Sequence, residues 1–165
     1  MIILGIDPGV AITGYGVIQT GKNDMIIYKD AGFIETSKEK IFSNRLEKIY
    51  TELSKIIASH KPHVIAIEEV FFCRNTKTAI SVGQARGVVL LASAQRNKKI
   101  YQYTPLQVKQ SICGYGWAKK QEVQERVRVA LNLKEIPRPD DVADALAVAL
   151  CHALAIKNGN KRAEK

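Results

Sequence analysis

The first third of the chain alternates apolar and polar residues in short runs. "MIILGID" is apolar up to Asp7, where Asp-Pro-Gly turns the chain, and "TGYGVIQT" and "MIIYKDAGFIET" resume the alternation. Links this short join antiparallel neighbours, so the pattern predicts a three-strand meander. From Ser43 the period lengthens: Leu46, Ile49, Leu53, Ile56 and Ile57 recur on one helical face, with Glu47, Lys48, Glu52 and Lys55 on the other. "HVIAIEE" then predicts a central strand, "TKTAISVGQARGVVLLASAQ" a helix and "KKIYQYT" a further strand. Pro105 opens a short helix running to about Cys113. Gly114-Tyr115-Gly116 marks a loop, and Val123, Val127, Ala130 and Leu131 define another helical face. Pro137 and Pro139 precede a last helix, "DDVADALAVALCHALAI", which is apolar nearly all round and expected to be buried.

A meander followed by alternating helix and strand predicts one α/β domain over residues 1–156, a mixed five-stranded sheet with helices on both faces. The tail over residues 157–165, "KNGNKRAEK", is polar and charged and expected to fray. At 165 residues and 46% hydrophobic, the chain can build one sizeable core, while two would be a squeeze. It holds no apolar run of about 18 residues, and "MIILGID" lacks the basic start of a signal peptide. The expectation is a soluble, cytoplasmic protein with no membrane segment.

Charge narrows the partners. Against 16 Asp+Glu stand 25 Lys+Arg, a formal +9, which favours a polyanion through counterion release, and nucleic acid leads. Cys73, Cys113 and Cys151 are widely spaced, with no Cys-x-x-Cys pair, and are expected to be reduced and structural. Cys151 and His152 point about 100° apart on a helix, which makes them a poor metal pair. His60 and His63 are expected at the surface near a helix end.

The acids carry the chemistry. Strand alternation puts Ile3, Gly5 and Asp7 on one face, and Val64, Ala66 and Glu68 likewise, with Glu69 opposite Glu68. Asp141 and Asp144, three apart, share a helix face, and Asp140 points elsewhere. Simpler roles exist: Asp140 and Asp141 could serve a helix N-terminus, Asp7 its own turn, and one of the two glutamates could be solvated. Asp144 within "VADALAVAL" is harder to explain so, because an isolated buried carboxylate is costly. Taken together, two strand ends and a helix bearing acids suggest a hard-cation site, suited by oxygen-only ligation to Mg²⁺ or Mn²⁺. Two such ions about 4 Å apart can cut a phosphodiester, which points to a nuclease.

"GIDPGVAITGYGVI", "AIEEVFFCRNTKTAISVGQARGV", "YTPLQVKQSICGYGWAKKQEVQ" and "DDVADALAVA" resemble, in order, the blocks of the RuvC family of bacterial Holliday junction resolvases. The resemblance covers most of residues 1–156. It implies an RNase H-like fold, a homodimer, and cutting of four-way junction DNA with Mg²⁺, two ions per site, Mn²⁺ able to substitute. It also implies the RuvAB branch-migration complex as a partner. The family's acidic positions match Asp7, Glu68, Asp141 and Asp144, as catalytic residues and metal ligands. "D-V-A-D-A-L-A" selects Asp141 over Asp140, and "A-I-E-x-V-F" selects Glu68 over Glu69.

For DNA contacts, the resemblance puts Phe71 against junction bases and Lys109 and Lys120 near the phosphate. Arg74, Asn75 and Lys77 follow Phe71 in a polar loop suited to phosphates, and Lys119 joins the second basic group. The resemblance places a dimer contact around the helix of Gly83 and Gly87, whose spacing equally suits close packing within one chain. "IDPGVAITGYG" also resembles the phosphate loop of actin and sugar-kinase ATPases, but those need two such domains. An RNase H acting on an RNA–DNA hybrid is a nearer rival, and a non-catalytic junction-binding module a third.

Overall fold

The computed structural model describes residues 1–21, 25–69, 76–157 and 159, with residues 76–78 described by their backbone alone. The meander forms as its alternation predicts: β1 (Ile2–Asp7), β2 (Ile12–Thr20) and β3 (Ile26–Glu35) pair antiparallel. Helix α1 (Phe42–His60) returns the chain to β4 (Val64–Glu68), parallel to β1. Helix α2 (Thr76–Gln95) does the same for β5 (Lys99–Tyr103), giving the order β3-β2-β1-β4-β5. Helices α3 (Pro105–Cys113), α4 (Lys120–Ala130) and α5 (Asp140–Lys157) complete the chain.

Two apolar layers sandwich the sheet. Leu4, Ile6, Ile65 and Ile67 face α1 and α2, meeting Ile49, Leu53, Ile57, Ala85 and Val89. Their strand neighbours Ile3, Val64 and Ala66 face the other way, toward Val108, Val123, Val127, Leu146 and Leu150 of α3, α4 and α5. This is why α5 is apolar all round: residues 142, 143 and 145–153 are buried. One face expectation fails. Ala130 is exposed, and the buried side of α4 is Val123, Gln124 and Val127, because the helix ends at Ala130 and Leu131 turns inward.

Glycine sets how closely α5 lies on the sheet. A Cβ on Gly5 would overlap the Ala145 carbonyl, and one on Gly14 the Asp141 carbonyl. Both strand positions therefore need a residue without a side chain. Helix α3 is fixed at its start by a capping box, in which Gln107 N donates to Thr104 Oγ1 at 3.1 Å and Thr104 N to Gln107 Oε1 at 2.8 Å.

The remaining titratable residues of note have structural partners. His63 Nδ1 accepts from Ile2 N at 2.9 Å, and His60 Nε2 lies 3.0 Å from Asp30. Cys113 and Cys151 are free, and Cys73 lies outside the described residues. Among the described residues, no helix is long and apolar enough to cross a membrane.

His152 is buried, shares a 2.7 Å hydrogen bond with the Tyr103 hydroxyl through Nδ1, and lies 4.3 Å from the Tyr101 ring. Burial pushes it down to about 4. It is neutral when folded, whereas the unfolded chain protonates it below about 6.5, so its contribution falls as pH drops from about 6.5 to about 4. Relative to His152→Leu, the wild type should lose about 3 kcal/mol across that window in denaturant titrations. Equal losses in the two proteins would contradict this.

Candidate active site at the carboxyl ends of β1 and β4

Asp7 ends β1 and Glu68 ends β4. Parallel pairing of Ile6 with Ile67 brings the two acids side by side, and alternation from Gly5 and Ala66 points both toward α5. Asp7 also pairs with Gly14, against whose bare Cα the Asp141 backbone rests. The first turn of α5 thus comes down beside Asp7, and Asp144 follows one turn on. The turn after Asp7 is pinned elsewhere, by Thr13 Oγ1 donating to Gly9 O at 2.6 Å and Thr36 Oγ1 to Val10 O at 2.5 Å.

These carboxyls act on one another. Asp7 shares a hydrogen bond with Glu68 and is held well above the usual carboxylate range, first by desolvation, then by repulsion from Glu68, Asp144 and Asp141. Glu68 is pushed up to about 7 by desolvation and by Asp144, against the favourable pull of the Asp7 bond, Lys120 and Lys109. Burial also raises Asp144, although Lys120 Nζ lies 2.9 Å from it. Crowding of this kind disfavours the ionised forms of Asp7, Glu68 and Asp144, a repulsion that a bound cation would relieve. Their all-oxygen donor set fits Mg²⁺ or Mn²⁺ better than zinc. Among the described residues, no three His, Cys, Asp or Glu side chains are arranged so that they could hold a metal ion as they stand. Asp7 and Glu68 bond each other, and Lys120 holds Asp144.

Beside the acids opens a cavity of about 200 Å³, lined by Glu68 and Asp144 on one hand and Lys109 and Lys120 on the other. Pro105, Val108, Val123 and Ala147 give it apolar walls. Two carboxylates facing two ammonium groups can hold a phosphodiester together with a cation. Lys119 is exposed at the N-cap of α4.

Asp140 does not point elsewhere as expected: half-buried one turn before Asp144, it shares Lys120 with that residue, at 3.4 Å, and also pairs with Arg138. Glu69 lies beyond the strand end, its N donating to Tyr103 O at 2.8 Å. Phe71, Arg74 and Asn75 lie outside the described residues, as does the Lys77 side chain. Sequence reasoning missed Gly14, Pro105 and Val108 as parts of this site. A signal for Gly14 exists in "TGYG", where every second residue on the helix-facing side is glycine.

The sequence model described as Crossover junction endodeoxyribonuclease RuvC matches residues 3–152. The chain belongs to the RuvC family. RuvC of Caldicellulosiruptor saccharolyticus is 56% identical over 155 residues, covering 94% of this chain and 93% of that protein. RuvC of Alkaliphilus metalliredigens is 53% identical, covering 93% of each. The Thermus thermophilus RuvC structure superposes with a TM-score of 0.90 at 38% identity over 99% of both chains, so the RNase H-like fold is shared. Thermus thermophilus RuvC in complex with Holliday junction substrate gives 0.89 at 35% identity, again over 99% of both.

Proposed function

We propose that this RuvC-family chain resolves four-way DNA junctions in recombination and repair, by paired, symmetric cuts that leave 5′-phosphates and 3′-hydroxyls. The observation that carries the proposal is the convergence of Asp7, Glu68, Asp141 and Asp144, on two strand ends and one helix, beside a lysine-lined cavity. The nuclease unit spans residues 1–156, with 157–165 as a polar tail.

RuvC-family nucleases are metal-dependent, and the four acids are the residues that would hold Mg²⁺, two ions per site, or Mn²⁺ in its place. When bound, the ions supply acidification of water and neutralisation of charge on the attacking and leaving oxygens. The chain does the rest. The carboxylates aim the attacking water in line with the scissile bond, and Lys109 and Lys120 hold the phosphate oxygens. Lys120 exchanges its carboxylate partners for phosphate as DNA arrives. A P–O bond forms to water, the P–O3′ bond breaks, and the 3′-oxygen takes a proton, with no covalent enzyme intermediate. Phe71 contacts junction bases, while Arg74, Asn75, Lys77 and Lys119 contact the backbone.

One such site cuts one strand, so symmetric resolution calls for a homodimer. Helix α2 supports this reading: Ile80 and Leu91 are 67% and 52% exposed, and among the described residues a Cβ on Gly83 or Gly87 would meet nothing within 4 Å. The small-residue strip is open, as a partner helix would need. Light scattering should give twice the chain mass of 18.3 kDa, and a monomer that still cuts both strands together would contradict the dimer. In this reading the RuvAB complex supplies the junction, in the cytoplasm.

The reading is tested by offering a four-way junction and an RNA–DNA hybrid in parallel with Mg²⁺. Cutting of the junction alone is expected. Preferential cutting of the hybrid would favour an RNase H activity.

A further inference from the structure

The cutting chemistry leaves one aromatic surface unused. Trp117, the chain's only tryptophan, is 82% exposed in the turn between α3 and α4. A large flat ring left in water forgoes the burial that usually retains tryptophan. The turn is nonetheless well held. Gly114 takes a left-handed φ of 89°, Gly116 fits where a Cβ would overlap Leu106, and Ala118 is buried. Tyr115 braces the indole, ring centroids 5.1 Å apart, and its hydroxyl donates to Glu122 of α4.

The position is adjacent to the candidate site. Leu106, against which Gly116 packs, directly follows Pro105 in the cavity wall. Trp117 precedes Lys120, another lining residue, by three positions, which limits their Cα separation to about 11 Å. That is about three nucleotide steps along a strand. The ring thus lies within reach of bases flanking a phosphate held at Lys120, in a collar of lysines that suits a polyanion better than an apolar protein face.

We propose that Trp117 is a DNA-contacting residue that stacks on a nucleobase exposed near the cut phosphate. The proposal rests on the reading that this cavity takes junction DNA. Tyr115 acts behind it as a positioning residue, keeping the outer face of the indole free.

The test uses the full chain and a fluorescein-labelled four-way junction in Ca²⁺ to prevent cutting. Binding is followed by label anisotropy and, separately, by the single tryptophan's emission. Emission should be quenched in step with binding. Trp117→Ala should weaken junction affinity about tenfold, with most of it recovered in Trp117→Phe. The slope of log affinity against log salt should not change, whereas Lys119→Ala should reduce it by about 1. Because the side chain is exposed, the melting temperature of Trp117→Ala should match the wild type. Junction binding with constant emission, or wild-type affinity in Trp117→Ala, overturns the proposal while leaving the cutting reading intact; the ring would then serve another partner, such as a protein. Absence of any anisotropy change overturns both.

Discussion

Asp7→Asn should lower junction cutting by about a thousandfold or more, the equivalent of about 4 kcal/mol of transition-state stabilisation, while junction binding is retained or slightly tightened. Asp7 sits where β1, β4 and α5 meet, next to Glu68 and below Asp141, so it is the acid best placed to serve the whole cluster. Asparagine matches its size but removes the charge. The loss should therefore fall on the chemical step. Removing a negative charge beside bound phosphate favours association if anything. The folded state should also gain, because Asp7 is held against desolvation and three neighbouring acids. Single-turnover cutting and a binding titration on the same junction check this, and near-normal cutting by the variant would remove Asp7 from the site.

Gly14→Ala should damage both stability and cutting without altering any carboxylate. The added methyl would overlap the Asp141 carbonyl, and a backbone atom in a packed helix cannot step aside as a flexible side chain can. Either β2 bends or the first turn of α5 lifts. Overpacking of this kind costs about 1–3 kcal/mol or more. A lift of about 1 Å at Asp141 would cost cutting roughly a hundredfold. Thermal denaturation and cutting rates together check the expectation, and a Gly14→Ala protein with normal values for both would mean that α5 is not seated on this glycine.

The contrast between these two residues shows what the sequence made legible. Strand alternation puts Asp7 and Glu68 on like faces and a three-residue step puts Asp141 and Asp144 on one helix side, while the choice of Glu68 over Glu69 and of Asp141 over Asp140 rests on the resemblance to the RuvC blocks. Periodicity reports direction and is silent on partners. It could not show that Lys120 bonds Asp144, nor that Asp140 is a partner of Lys120 and Arg138, because those contacts depend on how α4 docks against α5. Gly14 was equally hidden, since its importance lies in a distance between elements and not in its own chemistry. Ala130 misled for a related reason: it continues the apolar period of α4 just where the helix stops needing it.

The open strip on α2 was undecided for the opposite reason. A spacing of four between Gly83 and Gly87 permits close approach by any helix, within the chain or outside it. Among the described residues nothing lies within 4 Å of where a Cβ on either glycine would stand, which favours approach from outside the chain.

All of this converges on one substrate and one geometry of cutting. A synthetic four-way junction with a mobile core, labelled on each strand in turn and incubated with Mg²⁺, locates every cut. Two nicks at equivalent positions on opposite strands, both sealed by DNA ligase, are expected. Cuts confined to one strand, unpaired cuts, or ends that ligase cannot join would contradict paired resolution by the Asp7, Glu68, Asp141 and Asp144 site.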